Sequence, residues 1–288
     1  MYQGGRARVE VEGMESKRFG VCKGVRQGCT LSPWLFNVFI DNVVREVRSE
    51  CIREVVLSTG TVGLLMFADD MVMMAETEEA LQHNVEAMNE AVVRWDLKVN
   101  WKKSKVMRVA RKREECQVRI GDEQLEQVDT MKYIGVIISG DGSMQREVEA
   151  RVGCASRVIG GLNQAILGRR ELSKQTKLKV VNATVMPVLM YGYEAWAVWK
   201  EQKSKIQATK MNVLRRIEGV CWKDGITNDE ILQWLGQVGV LEKVKKRQEE
   251  WRERLEGMGN ERCTKRVFEG VVDGKRPRGR PRLRFGQF

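Results

Sequence analysis

The segment Gly63-Leu64-Leu65-Met66-Phe67-Ala68-Asp69-Asp70-Met71-Val72-Met73-Met74 places two adjacent carboxylates between two short apolar runs. Each run is too short for a helix and long enough for a strand. The pattern predicts a β-hairpin with Asp69 and Asp70 at or near the turn. A carboxylate pair buried between apolar strands needs a positive charge nearby. Mg²⁺ is the usual partner, which points to phosphoryl transfer. An ordinary solvated turn is the alternative, since aspartate is common in turns.

The composition favours an intracellular protein that binds nucleic acid. The 288 residues carry a formal net charge of +11, and such an excess attracts polyanions, nucleic acid first and an anionic membrane second. No apolar stretch reaches the ~20 residues of a membrane span, and residues 1–6 lack the apolar run of a secretory signal. We therefore expect no membrane partner and a location in the nucleus or the cytoplasm.

The cysteine and histidine content argues against several site types. The seven cysteines are dispersed without a Cys-x-x-Cys pair, and His83 is the only histidine. A zinc finger and a catalytic Ser-His or Cys-His pair are therefore poor interpretations. We expect reduced, intracellular thiols.

Hydrophobic periodicity divides the chain at about residues 140 and 256. The first part, 1–140, mixes strands and helices. It has predicted helices over 33–53 and 77–97 and predicted strands over 6–12, 19–22, 62–75, 117–120 and 133–139. The second part, 141–256, is helical, with predicted helices over 144–166, 173–190, 200–218, 227–236 and 240–256. The last part, 257–288, is basic, and we expect it to be flexible.

Two motifs together resemble the reverse transcriptases of non-long-terminal-repeat (LINE-type) retrotransposons. They are Gly24-Val25-Arg26-Gln27-Gly28-Cys29-Thr30-Leu31-Ser32-Pro33-Trp34-Leu35-Phe36-Asn37 and Phe67-Ala68-Asp69-Asp70, in the order and spacing of the family. Asn100…Lys103-Ser104-Lys105 is similar to the next motif, and Tyr133-Ile134-Gly135-Val136 is similar to the primer-grip strand. The resemblance implies an α+β fold: a partial polymerase palm with an antiparallel sheet, then a helical thumb and C-terminal region, then a basic tail.

The resemblance also implies roles at the catalytic end of the palm. Asp69 and Asp70 would bind the catalytic Mg²⁺ ions. Arg26, Gln27 and Gly28 would line the pocket for the template base and the incoming deoxynucleotide. Physical chemistry agrees, because glycine permits close approach of the backbone to a base or sugar and arginine suits a phosphate. A simple turn before a helix remains the alternative for this loop.

Further roles are implied for the later motifs. Lys103 would lie near the nucleotide phosphates, where a point positive charge favours release of pyrophosphate. Tyr133, Ile134 and Gly135 would position the primer end. The alternatives are a solvated basic turn at Lys103 and plain core packing at Tyr133. The implied partners are an RNA template, a DNA primer and a deoxynucleoside triphosphate.

One part of the family pattern is missing from the sequence. These polymerases carry another metal-binding aspartate on a strand before the Arg26 motif, but residues 1–25 contain no aspartate. The fingers region is missing as well. Two metals need carboxylates from both strands, so we expect weak Mg²⁺ binding and no polymerisation by this chain alone. We expect a truncated polymerase, either the 3′ part of a degenerate element or a coding sequence that begins too late.

Two other interpretations stay open. The tail residues Arg278, Arg280 and Arg282 lie in a sequence similar to the core of an AT-hook, which places arginines in a narrow minor groove. A plain basic tail contacting phosphates is the alternative. The chain would then be a non-catalytic nucleic-acid-binding protein, or an inert remnant of an element. The later tryptophans could stack on bases, but we expect them to be packing anchors between helices.

Overall fold

A computed structural model of the chain describes residues 4–21, 24–50, 53–110 and 114–271. The chain divides into two compact units that alternate along the sequence. Unit 1 comprises Met1–Val55, Thr61–Ser104 and Gln117–Leu125, and unit 2 comprises Val56–Gly60, Lys105–Cys116 and Glu126–Phe288. Helices and short, mostly antiparallel strands occur together, so the predicted α+β class is confirmed.

The described strands are short. They are β1 (Gly5–Ala7), β2 (Glu10–Val11), β3 (Met14–Glu15), β4 (Phe19–Val21), β5 (Val55–Leu57), β6 (Gly60–Val62), β7 (Leu64–Phe67), β8 (Asp70–Met73), β9 (Lys105–Val106), β10 (Arg119–Ile120), β11 (Glu123–Gln124), β12 (Glu126–Gln127), β13 (Thr130–Tyr133) and β14 (Val136–Ser139). Within unit 1, β1 pairs with β4, β2 with β3, β7 with β8 and β10 with β11, all antiparallel. Within unit 2, β13 and β14 are antiparallel, and β9 and β12 are parallel.

The described strands therefore form separate two-stranded antiparallel or parallel ribbons, whereas the family resemblance implies one antiparallel sheet. A two-stranded ribbon alone is marginally stable in water. The ribbons depend on packing against helices, as β8 does on the helix that follows it.

Unit 1 contains two long helices, α1 (Ser32–Ser49) and α2 (Glu78–Arg94). The N-cap of α1 is Leu31, and the helix begins one residue before and ends four residues before the predicted bounds of 33–53. Pro33 still lies in the first turn, where its missing N–H costs no helical hydrogen bond. The N-cap of α2 is Thr77, whose hydroxyl oxygen accepts a hydrogen bond from the Ala80 N–H at 3.2 Å.

The two helices of unit 1 pack through a small apolar core and a polar seam. The core comprises Val43, Val47, Met88, Ala91 and Val92. In the seam the Glu46 carboxylate accepts hydrogen bonds from the indole N–H of Trp95 and the guanidinium of Arg94. The hydrogen bond from Trp95 and then that from Arg94 lower the pKa of Glu46 below its ordinary value. The Trp95 ring also meets the Phe39 ring edge-on at 5.4 Å between centroids.

The N-terminal part of unit 1 leaves many apolar side chains exposed. On the first turns of α1, Trp34 is 73% exposed and Val38 is 64% exposed. The same is true of other apolar residues in this part of the chain: Val9, Val11, Met14, Phe19, Val21, Val25, Leu31 and Leu35. An apolar surface of this kind favours association with other surfaces.

Unit 2 is dominated by helices around one larger core. The helices are α3 (Gln145–Leu162), α4 (Lys174–Leu189), α5 (Lys200–Glu218), α6 (Asn228–Trp234), α7 (Val240–Glu256) and α8 (Cys263–Glu269). The five helices predicted between residues 144 and 256 are confirmed. A π-helical turn, Asn163–Leu167, extends α3 to the predicted end. Apolar side chains from α3 to α7 form one continuous cluster, with Val185, Leu189 and Val213 fully buried.

Helix α8 lies in the segment 257–288, for which the sequence predicts a flexible tail. The Lys265 ammonium donates a hydrogen bond to the carbonyl of Glu256, the last residue of α7, at 2.9 Å. The Thr59 hydroxyl donates to the carbonyl of Arg266 at 2.7 Å. These bonds attach α8 to the rest of unit 2. Residues 272–288, which include the arginine-rich part of the tail, lie outside the described residues.

No helix in the described part of the chain is long and apolar enough to cross a membrane.

The described tryptophans of unit 2 differ sharply in burial. Trp196 is 2% exposed and belongs to the core, as expected of a packing anchor. Trp222 is 78% exposed and Trp234 is 54% exposed. The prediction that they are packing anchors is wrong for these two. Trp222 lies in a 3-10 turn before α6, Trp234 is the last residue of α6, and both side chains are exposed.

Replacing these tryptophans distinguishes packing from surface exposure. We expect Trp196→Ala to lower the free energy of unfolding by about 3–5 kcal/mol, because it leaves a cavity in the core. We expect Trp222→Ala to change it by less than about 0.5 kcal/mol. Urea unfolding followed by far-ultraviolet circular dichroism measures both. Equal losses from the two variants would contradict this assignment of the core.

Lys210 gives unit 2 a distinctive dependence on pH. Its side chain is 1% exposed, and its ammonium donates a hydrogen bond to the carbonyl of Val238. Burial, with a smaller contribution from Lys243, lowers the pKa of Lys210 from 10.5 to about 8. Between these two pH values the unfolded chain binds more protons than the folded chain, so stability rises with pH.

We expect Lys210→Met to remove this rise. Relative to the variant, the wild-type chain should gain roughly 2–4 kcal/mol of unfolding free energy between pH 8 and pH 10.5. Urea unfolding at a series of pH values measures the difference. Lys179→Met, at an exposed lysine of α4, is the matched control and should follow the wild type. A constant difference between wild type and Lys210→Met across this pH range would contradict the prediction.

Candidate functional site

The β7–β8 hairpin carries the two carboxylates at its tip, as predicted. Phe67 pairs with Asp70, so Ala68 and Asp69 form a two-residue turn and Asp70 opens β8. Ala68 has a φ of +54°, which is unusual for a residue with a Cβ. Such strained positions cluster at functional sites, because the local cost must be offset elsewhere.

The carboxylates are exposed, whereas the base of the hairpin is buried. Leu64 is 6% exposed, and burial decreases along β7 until Phe67 is 61% exposed. Asp69 and Asp70 are both exposed. The argument that apolar strands bury this pair, so that a cation must neutralise it, is therefore wrong for this chain. Water solvates the two charges, so a metal ion would be held only if several ligands were arranged to coordinate it.

The ligand geometry in the described residues is incomplete. Asp69 lies in the turn and Asp70 is the first residue of β8, so this tip offers only two carboxylate side chains. The described part of the chain contains no group of three or more histidine, cysteine, aspartate or glutamate side chains that could hold a metal. Mg²⁺ keeps most of its waters unless several ligands converge. Asp69 and Asp70 therefore do not, by themselves, fit a complete two-metal centre.

The loop before α1 presents its three motif residues to solvent. Arg26, Gln27 and Gly28 are exposed, and the Cys29 N–H closes a turn onto the Arg26 carbonyl at 3.4 Å. Gly28 has a φ of +76°, and a Cβ added there would meet no atom within 4 Å. The glycine is thus required by its backbone conformation, and the space beside it is open.

Lys103 lies in a compact turn of the same unit. Its N–H donates to the Asn100 carbonyl at 3.1 Å, and the Ser104 hydroxyl donates to the same carbonyl at 3.0 Å. The Lys103 side chain is exposed. The turn therefore holds the backbone while leaving the ammonium free to meet an anion.

The segment Tyr133–Val136 belongs to unit 2 and is a hairpin tip. The prediction of one strand over 133–139 is wrong, because β13 ends at Tyr133 and β14 begins at Val136. Ile134 and Gly135 form the turn, with φ values of +45° and +79°. The sequence does not predict this turn, because isoleucine, its first residue, is not a typical turn residue.

Sequence reasoning missed three residues around this turn. The Arg151 guanidinium donates to the Gly135 carbonyl, and the Tyr191 hydroxyl donates to the Ile134 carbonyl at 2.9 Å. Glu147 accepts a hydrogen bond from the Ile137 N–H at 2.7 Å. The only available signal was the i, i+4 spacing of Glu147 and Arg151, which is too common to be diagnostic.

Comparison with known proteins identifies the matched region. Residues 2–138 match the family described as reverse transcriptase (RNA-dependent DNA polymerase). The matched region includes the Arg26 loop, the carboxylate hairpin, the Lys103 turn and the Ile134–Gly135 turn.

Three relatives show how far the similarity extends. The chain is 24% identical over 292 residues to the RNA-directed DNA polymerase from mobile element jockey of Drosophila funebris, covering 99% of this chain and 31% of that protein. It is 27% identical to a Pol polyprotein from retrotransposable element R2 of Nasonia vitripennis, covering 51% of this chain and 15% of that protein. It is 27% identical to the R2DM polyprotein of Drosophila melanogaster, covering 66% and 18%. The chain thus spans less than a third of the length of these relatives.

Proposed function

Residues 2–138 match the reverse transcriptase family, and from that match we propose that the chain belongs to this family and supplies part of the active site of a retrotransposon RNA-directed DNA polymerase. The reaction is nucleotidyl transfer: the primer 3′ oxygen attacks the α-phosphorus of a deoxynucleoside triphosphate, and pyrophosphate leaves. The observation that carries this proposal is the exposed Asp69–Asp70 tip of the β7–β8 hairpin, within the matched region.

The proposal assigns the other exposed residues by their chemistry. Arg26 and Gln27 have the hydrogen-bonding groups to contact a template base or a triphosphate, and the open space beside Gly28 leaves room for a sugar. Lys103 supplies a point charge for the phosphates. The Tyr133–Gly135 tip is assigned to the primer strand. The helical part of unit 2 is assigned to the thumb, which contacts the template–primer duplex.

We further propose that residues 1–288 do not polymerise by themselves. Phosphoryl transfer of this type needs two Mg²⁺ ions held by converging carboxylates. The described residues offer two exposed carboxylates at one turn and no third ligand beside them. Weak Mg²⁺ binding follows from this ligand set, because the ion keeps most of its waters unless several ligands converge.

Primer extension tests both parts of the proposal. We expect no extension of a DNA primer on an RNA template by residues 1–288 with Mg²⁺, beside an active reverse transcriptase as positive control. A chimera that adds the segment of the jockey relative preceding the matched region should extend the primer. Asp69→Asn in the chimera should reduce extension to background, because it removes a metal ligand.

The matched control is Asp41→Asn, which changes an exposed aspartate of α1 paired with Arg45 at 2.8 Å. It should leave extension by the chimera unchanged. Extension by residues 1–288 that Asp69→Asn abolishes would contradict the proposed inactivity. Extension by the chimera that survives Asp69→Asn would contradict the role of the hairpin.

A second candidate function is sequence-independent binding of nucleic acid by the basic tail. The net charge of +11 and the three arginines at 278, 280 and 282 favour it. We propose that these arginines contact phosphates. Recognition of the minor groove of AT-rich DNA is the alternative that the test below distinguishes from it.

Competition between two duplexes tests the tail. We expect equal affinity for AT-rich and GC-rich DNA of the same length. The triple variant Arg278→Ala, Arg280→Ala, Arg282→Ala should weaken both, and should reduce the slope of log affinity against log salt by about 2.7 for three lost phosphate contacts. A strong preference for the AT-rich duplex that the triple variant removes would instead show an AT-hook.

A further inference from the structure

The turn between β13 and β14 adopts a conformation that its sequence does not favour. Ile134 has a φ of +45° and Gly135 a φ of +79°. Glycine adopts such values easily, but a β-branched residue in the left-handed region is a genuine outlier. A turn of this kind persists only where its surroundings hold it.

Both carbonyl groups of the turn are held by side chains from the helical part of unit 2. The Tyr191 hydroxyl, just after α4, donates to the Ile134 carbonyl at 2.9 Å. The Arg151 guanidinium, on α3, donates to the Gly135 carbonyl. The two carbonyl groups of the turn are therefore held from two different segments, α3 and the turn that follows α4.

Glu147 connects these contacts to the strand that follows. Its side chain is fully buried, and one carboxylate oxygen accepts from the Ile137 N–H at 2.7 Å. The other accepts from Arg151 Nε at 2.6 Å. A buried carboxylate is strongly destabilising unless it is paired and hydrogen-bonded. The need to satisfy Glu147 therefore fixes the place of Arg151 as well.

The aromatic ring of Tyr191 completes the arrangement. The Arg151 guanidinium carbon lies 4.6 Å from the centroid of this ring, within the range of a cation–π contact. A Cβ added at Gly135 would come within 3.3 Å of the ring. The ring and the turn are thus in close contact, and the side chain of Ile134 is left 40% exposed at the tip.

We propose that Glu147, Arg151 and Tyr191 form a clamp that sets the conformation of the Ile134–Gly135 turn and so positions the tip of this hairpin against the primer strand. The three are positioning residues, since they act through the backbone of the turn. The clamp follows from the contacts above, whereas its effect on the primer rests on the proposed function. The clamp also means that the tip is built by the helical part of unit 2.

Two variants remove parts of the clamp with little change in shape. Tyr191→Phe deletes only the hydroxyl bound to Ile134, and Arg151→Gln removes the guanidinium. The controls are Tyr193→Phe, two residues away, and Arg157→Gln, at an exposed arginine of the same helix. Thermal unfolding of each full chain checks that the fold is kept, and Tyr191→Phe tests the proposal even if Arg151→Gln unfolds.

Hydrogen exchange measures the clamp without any nucleic acid. We expect amides 134–137 to exchange at least about tenfold faster in both clamp variants than in the controls, because local opening of the turn becomes easier. Unchanged exchange in Tyr191→Phe and in any folded Arg151→Gln chain would overturn the clamp.

Binding measures the effect on the primer. The probes are an RNA–DNA hybrid with a free recessed DNA 3′ end and the same hybrid closed by a loop. We expect the wild type and the controls to bind the hybrid with the free end more tightly than the closed hybrid. In the clamp variants the ratio of these two affinities should fall by about tenfold, with the affinity for the closed hybrid unchanged. Background binding by the basic tail is common to both probes and cancels in the ratio.

The two measurements test the clamp and its effect on primer binding separately. Faster exchange with an unchanged preference for the free end would overturn the positioning role and leave a purely structural contact. A wild-type chain without any preference for the free end would overturn the proposed primer contact. Unchanged hydrogen exchange in the clamp variants is a different result, and it would overturn the clamp itself.

Discussion

Burial of apolar side chains between α3, α4 and α5 is the constraint on which the C-terminal half of this chain depends. These helices share one continuous core that also takes in α6 and α7. Because a well-packed core tolerates little change in volume, it holds the helix axes in place. Polar groups inside this frame must then be satisfied where they stand, as the buried Glu147 and Lys210 are. The clamp on the Ile134–Gly135 turn is one result of that requirement.

The N-terminal half is built differently. Its helices α1 and α2 share a small core joined by a polar seam at Glu46, and many apolar side chains near Trp34 and Val38 stay exposed. The residues that we propose to act in catalysis are also exposed, including both carboxylates of the β7–β8 hairpin. The side chains suited to nucleic-acid chemistry are therefore solvated and accessible to a ligand. Within the described residues they do not form a closed site.

Much of the fold was predictable because its signals are local. Helix periodicity predicted α2 and α3 to α7. The Thr227–Glu230 capping box, which the structure shows at the start of α6, is a local feature as well. The carboxylate hairpin was predictable from two short apolar runs around Asp69 and Asp70. The end of α1 was less so, since this helix ends at Ser49 and the predicted helix ends at residue 53. The exposure of Trp222 could not be predicted, because a tryptophan has the same local pattern whether or not another helix covers it.

The sequence by itself determined the α+β class, the helical second half, the place of the carboxylates on a hairpin and the resemblance to reverse transcriptases, because each rests on residues that are close together in the chain. Only the tertiary structure decided that the carboxylates are exposed, that the strands form separate ribbons and that Tyr133–Val136 is a turn. It alone brought Tyr191 to Ile134, 57 residues apart in sequence. The physical reason is that burial and side-chain partnership depend on which surfaces meet, and local sequence patterns do not specify that meeting.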